Sequence, residues 1–243
     1  MNCVIDLGNT TAKAAIYNKT ALTSHEQGLA DDALVAYATQ AAVTHIGICA
    51  VGRNPAGIIA QLGNRVPVST LTTQTPIPIT MNYATPQTLG TDRLAAVMGA
   101  YYRLPGTDCL VIDAGTCITY EFLDRHGAYH GGAIAPGMGM RFRAMHTFTN
   151  GLPLIEFGNN LQQPKLTGGT TAEAMMSGVI HGMVAEIDGI INQYLERVPQ
   201  LKVILCGGDA QFFETRIKAP IFAVPELVLE GLNRVLLYND NQI

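Results

Sequence analysis

The sequence contains no tryptophan, only 14% charged residues and no excess of basic charge, with a formal net charge of -4. That balance excludes the basic footprint of a nucleic-acid-binding domain. No apolar run reaches the length of a bilayer, so no membrane span is expected. A basic segment ahead of an apolar stretch is missing at the N-terminus, which argues against a secretory signal. The five cysteines (Cys3, Cys49, Cys109, Cys117, Cys206) form no C-x-x-C pair and sit in or beside apolar strand-like runs. An odd count without zinc spacing predicts reduced thiols in the core of a cytoplasmic protein. No histidine is placed to activate one of them as a nucleophile. What remains is a chain of 243 residues, 48% hydrophobic, long enough for one large or two small domains with a sizeable core.

The organising stretch is Val4-Ile5-Asp6-Leu7-Gly8-Asn9-Thr10-Thr11-Ala12-Lys13. An apolar run enters it and Ala15-Ile16-Tyr17 leaves it, which reads as strand, tight turn, strand. Its turn gathers a carboxylate, a glycine, hydroxyls and a lysine, the groups that can hold a phosphate. An ordinary polar-tipped hairpin would look the same. Val111-Ile112-Asp113-Ala114-Gly115-Thr116 repeats the pattern and runs into Ile118-Thr119-Tyr120-Glu121-Phe122. A hairpin met twice points to two similar halves. Pro105-Gly106 marks the boundary, giving domains 1–106 and 107–243.

In the first half a third strand is expected at 22–27, a helix at 31–42, a buried strand at 44–51, a helix from Asn54-Pro55, and a short strand at 66–68. Extended chain over 72–83 leads to a helix over 94–104. The second half repeats the order: strands at 109–112, 118–122 and 129–134, a helix through 141–148, a loop over 152–169, a long helix over 172–197 and a strand at 202–206. A short helix, a strand at 221–223 and a helix over 225–238 finish it.

Gly90-Thr91-Asp92-Arg93 places a carboxylate and a guanidinium at a helix start. Thr91 or Asp92 could simply cap the helix; alternatively the site takes an anionic substrate while Asp92 accepts a proton. Gly131-Gly132-Ala133-Ile134-Ala135-Pro136-Gly137 either lets strand and helix pack closely or closes over a ligand. Asp113 either caps its own turn or binds a cation beside phosphates.

The two loops resemble the phosphate loops of the sugar kinase, heat-shock chaperone and actin superfamily. The ordered set resembles the type III pantothenate kinases over nearly the whole chain. It comprises the Asp6–Lys13 loop, Gly90-Thr91-Asp92-Arg93, Asp113-Ala114-Gly115-Thr116, the Gly131–Gly137 run, Thr171 with Glu173, Ser177-Gly178, Gly207-Gly208, and Leu227-Val228-Leu229-Glu230-Gly231-Leu232. The resemblance implies two α/β, ribonuclease-H-like halves with mixed five-stranded sheets and ATP in the cleft. It implies transfer of the ATP γ-phosphoryl group to pantothenate, the first step towards coenzyme A. It puts Asp6, Leu7, Gly8, Asn9, Thr10, Thr11, Ala12, Lys13 and Thr116 on ATP. Asp92 becomes the proton acceptor, and Tyr83, Gly90, Thr91, Asp92, Arg93 and Thr171 the pantothenate contacts. Asp113 would hold a monovalent cation, K+ or NH4+, alongside Mg2+ with the ATP. A homodimer is implied, with no nucleic acid or membrane partner. Cys49-Ala50-Val51, where a Ser would precede the Val, and Gly168-Gly169-Thr170 differ from the family pattern. Another small-molecule kinase of the superfamily, or a non-catalytic nucleotide switch, are the alternatives.

Overall fold

The computed structural model describes residues 1–156 and 164–240. The central part of the expected 152–169 loop, residues 157–163, lies outside the described residues. Contacts divide the chain into two units. The first holds residues 1–107, 121–131 and 226–243; the second holds 108–120 and 132–225. The chain first passes from one unit to the other at 107/108. The return of residues 121–131 and 226–243 to the first unit has no punctuation in the sequence, because it is decided by tertiary packing.

The first sheet has strands β1 (Asn2–Leu7), β2 (Ala12–Asn18), β3 (Ala21–Gln27), β4 (His45–Ala50) and β5 (Val68–Thr70). Their order is β3-β2-β1-β4-β5. β1 runs antiparallel to β2 and parallel to β4. Every residue of β1 is buried, as expected of a central strand covered on both faces. Cys3, Ile5 and Leu7 pack with Leu34, Val35 and Ala38 of α1 (Asp31–Ala38) and with Ile58 and Leu62 of α2 (Ala56–Gly63). Helix α1 stops four residues short of the expected end. Asn54 Oδ1 accepts from Ala56 N–H at 3.0 Å at the start of α2.

By strand alternation Val4 and Asp6 face the opposite side. There lie α3 (Thr91–Arg103) and α7 (Leu227–Asn239). A Cβ added at Gly231 would fall 1.8 Å from Ala95 O, and one at Gly99 would fall 2.6 Å from Leu227 O. The two helix backbones touch through glycines, which is why Gly231 sits in an otherwise leucine-rich helix.

The second sheet contains β6 (Thr80–Met81), β7 (Cys109–Ala114), β8 (Cys117–Leu123), β9 (Ala128–Pro136), β10 (Lys202–Cys206) and β11 (Phe222–Ala223). Its order is β11-β10-β7-β8-β9-β6. Read from β9 to β11, it is the first sheet's order repeated, so the twice-met hairpin does report a duplicated topology. The expectation of two five-stranded sheets is corrected in one respect: this sheet has six strands. The extra one, β6, comes from the stretch read as merely extended, and pairs parallel with β9 at Thr80↔Ala128 and Met81↔Tyr129.

Helices α4 (Met138–Thr147), α5 (Thr171–Arg197) and α6 (Ala210–Glu214) belong to the second unit. Helix α5 is long and apolar enough to cross a membrane by length and composition, which corrects the reading that no segment reaches that length. Its buried residues Met175, Val179, Ile180, Met183, Ile187 and Ile191 recur at helical spacing. A one-sided stripe is the pattern of a helix covering a core.

Candidate active site

The first loop leaves β1 at Leu7 and returns at Ala12. Gly8 lets the turn close: a Cβ there would stand 3.2 Å from Thr11 O. Asn9 lays its side-chain amide on Gly52, which has φ +77 and space for no side chain, since a Cβ would fall 1.7 Å from Asn9 Oδ1. Asn9, Thr10 and Thr11 are exposed. Asp6 and Lys13 are register partners across β1 and β2. The Asp6 carboxyl is pushed up to about 6, first by burial and then by the Asp92 carboxylate, against the opposing pull of Lys13 and of a hydrogen bond from Cys49. Asp6, Lys13, Cys49 and Asp92 are therefore one electrostatic group in the first unit.

Asp92 does not cap α3. Gly90 holds the N-cap position, with no side-chain cap bond. Asp92 Oδ1 instead accepts from the Arg93 backbone N–H at 2.7 Å. Thr91 Oγ1 donates to Ala50 O at 3.3 Å, tying the helix start to the end of β4. Burial raises the Asp92 carboxyl above its ordinary value, opposed by the Arg93 N–H and guanidinium. Against that burial the helix N-terminus and Arg93 favour the ionised form, and an ionised carboxylate is able to take a proton.

Arg93 is almost wholly buried and pairs with Glu121. Sequence reasoning missed Glu121, Tyr129 and Cys49 as parts of this site. A signal existed for Glu121: a carboxylate inside an apolar strand requires a partner. Tyr83 stacks on Tyr129, ring centroids 6.0 Å apart, and its ring faces the Arg93 guanidinium at 5.7 Å.

In the second unit Asp113, Ala114, Gly115 and Thr116 form the matching loop between β7 and β8. Gly207, at φ +94, lies against it: a Cβ would fall 2.2 Å from Asp113 Oδ1 and 2.3 Å from Ala114 O. Gly137 donates its N–H to Thr116 O at 3.1 Å. A Cβ at Gly137 would stand 2.0 Å from Gly115 O, so the close-packing reading of the Gly131–Gly137 run holds at this position. Thr171 is exposed at the start of α5. Just before it, Thr170 caps the helix by accepting from Glu173 N–H at 3.2 Å, while Gly169 N–H donates to Glu173 Oε2 at 2.7 Å. The pair is a capping box displaced by one residue, since Glu173 takes the N–H of Gly169 and not that of the N-cap Thr170. Asp113, Thr116 and Thr171 thus belong to the second unit, and Asp6–Lys13, Tyr83 and Gly90–Arg93 to the first.

Two sheets of the same strand order, each with an aspartate at the end of its central strand, define the actin-like ATPase fold shared with sugar kinases. A conserved Baf family protein of Campylobacter jejuni superposes with a TM-score of 0.63 at 21% identity, covering 98% of this chain and 99% of that one. A Sinorhizobium meliloti protein described as a 2-dehydro-3-deoxygalactonokinase superposes at 0.55 with 16% identity, covering 98% and 99%. At the level of sequence, the type III pantothenate kinase family model matches residues 2–193. A type III pantothenate kinase of Bacteroides fragilis is 43% identical over 246 residues, covering all of both chains. The chain belongs to the type III pantothenate kinase family.

Proposed function

We propose that this enzyme transfers the γ-phosphoryl group of ATP to the primary hydroxyl of pantothenate, giving 4'-phosphopantothenate for coenzyme A biosynthesis. Full-length membership of the family supports the reaction. The single structural observation that carries the mechanism is Asp92, a half-buried carboxylate in the first turn of α3 whose Oδ1 accepts the Arg93 N–H.

In this reading the Asp6–Lys13 loop and Thr116 bind the phosphates through exposed hydroxyls, backbone N–H groups and the Lys13 charge. Asp6 would hold Mg2+, whose charge offsets that of the phosphates when bound. Among the described residues no three His, Cys, Asp or Glu side chains gather as a metal site. One or two carboxylates, with phosphate and water oxygens completing the shell, is the ordinary way Mg2+ is held, so the residues fit it. Asp113 would hold K+ or NH4+ through its carboxylate, at the place where the bare Gly207 backbone comes close to it. Arg93 binds the substrate carboxylate, helped by Tyr83, Gly90, Thr91 and Thr171. Asp92 orients the hydroxyl and takes its proton as the new bond forms.

Exposed Ile134, Phe148 and Leu166 of the second unit favour a homodimer, since such apolar side chains are what a second copy covers. The five free cysteines suit a cytoplasmic enzyme. The test is ATP-dependent phosphorylation of pantothenate followed by mass spectrometry, with potassium and then sodium as the monovalent cation. No phosphorylated product under either condition would refute the reading.

A further inference from the structure

Arg93 and Glu121 are 7% and 0% exposed, so both charges have left water. Arg93 Nε donates to Glu121 Oε1 at 2.5 Å, and Nη2 donates to Oε2 at 2.8 Å. The Tyr129 hydroxyl donates to the same Oε2 at 2.5 Å. Tyr129 is fixed in turn: β9 holds its backbone beside β6, and Tyr83 stacks on its ring. A Cβ at Gly131, which has φ +84, would lie 2.8 Å from the Tyr83 ring. The glycine therefore leaves room for the stack. Arg93 is gripped along one edge by Glu121 and faced by Tyr83.

A buried ion pair adds little net stability over apolar side chains of the same volume. Two charges set into the core beside Asp92 therefore need another explanation. A guanidinium has five N–H donors in one rigid plane. Once Glu121 takes the Nε and Nη2 edge, the direction of the remaining donors is set before any ligand arrives. Preorganisation of that kind strengthens binding by removing the ordering cost.

We propose that Glu121, held by Tyr129, is a positioning residue that sets the plane of Arg93 and so determines the enzyme's affinity for the carboxylate of its acceptor substrate. This rests on the role given to Arg93 above. Glu121 meets neither ATP nor the reacting hydroxyl in this account, so its loss acts on acceptor binding rather than on chemistry.

The experiment measures kcat, KM for pantothenate and KM for ATP in Glu121→Gln, Arg93→Gln and the double variant, with melting temperatures on the same preparations. Arg93→Gln is expected to raise KM for pantothenate by about 10²-fold and Glu121→Gln by about tenfold, with KM for ATP and kcat of Glu121→Gln within about twofold of the parent. The double variant should match Arg93→Gln, because Glu121 acts only through Arg93. Glu121→Asp should recover part of the loss. An unchanged KM for pantothenate in Arg93→Gln would refute the role of Arg93 itself and this inference with it. A raised KM in Arg93→Gln with a parental KM in Glu121→Gln would overturn the inference alone. Equal losses in kcat and in both KM values for Glu121→Gln would also overturn it, by exposing a merely structural role. Should Glu121→Gln not fold, Tyr129→Phe removes only the hydroxyl that holds Glu121. A roughly threefold rise in KM for pantothenate then supports the inference, and a parental KM overturns it.

Discussion

The Cys49 thiol donates a hydrogen bond to Asp6 Oδ1 at 3.4 Å, from the position directly beside Asp6 in the parallel β1–β4 pair. Burial holds that thiol protonated, well above its ordinary range. Asp6 therefore keeps a neutral donor at its side, and its charge is opposed mainly by Lys13.

The consequence for stability has a definite sign. Folded Asp6 holds its proton up to about 6 against a reference of 3.8. Between those values the folded chain binds more protons than the unfolded one, so stability falls as pH rises through that window. Asp6→Asn should raise the unfolding free energy of the ligand-free protein at pH 7.5 by roughly 2–3 kcal/mol, with no gain below pH 4. Turnover should be lost in the same variant. Denaturant unfolding at both pH values, with a kinase assay alongside, checks this. An Asp6→Asn protein less stable than the parent at pH 7.5 would contradict the electrostatic account.

Asp92→Asn keeps the size and the acceptor for the Arg93 N–H but cannot take a proton. The kcat should fall by roughly 10²–10⁴-fold, the contribution of a positioned general base. ATP affinity and melting temperature should stay near those of the parent, because Gly90 rather than Asp92 occupies the cap position. Near-parental kcat in this variant would remove Asp92 from the chemistry.

Activity should require K+ or NH4+ and should be lost in Asp113→Ala. Sodium is smaller than either ion, so the proposed site at Asp113 should discriminate against it. Initial rates across the three chloride salts, for the parent and for Asp113→Ala, measure the dependence. Full activity in sodium alone would delete the cation from the mechanism.

Gly207→Ala should be costly on two counts. The φ of +94 disfavours any Cβ, and the added atom would press on Asp113 Oδ1 and Ala114 O. A loss of about 1–3 kcal/mol is expected, together with a raised half-saturating potassium concentration. Thermal unfolding and a potassium titration report the two effects separately; parental behaviour in both would show that the loop can move aside.

Much of the architecture was legible because β1 and β7 carry the same apolar run ending in aspartate, and duplicated runs fold into duplicated sheets. Strand β10 matches its expected bounds of 202–206, since an apolar run closed by Gly207-Gly208 leaves little latitude. Helix α1 was read too long because Ala41 and Ala42 favour a helix, yet both stand exposed and have no buried face to extend it. Strand β6 was invisible: two residues, Thr80 and Met81, have no periodicity of their own and owe their conformation to β9. The ion pair of Arg93 was equally hidden, as Glu121 lies 28 residues away. Sequence shows which charges exist; only packing shows which ones meet.

Helix α7 closes a face of the first sheet, with Leu236 reaching Gly47 of β4 and Gly231 lying on α3. It is also made after α1–α6. Residues 108–225, the span that holds the whole second unit, emerge while that face still stands open, for roughly 6–24 s at ordinary elongation rates. Vectorial synthesis thus inverts the order of the chain: the later unit can mature first, and the earlier one waits, with an apolar flank bare, for a helix still inside the exit tunnel. A nascent chain stalled before Leu227 is accordingly the form of this protein with the greatest need of a holding chaperone.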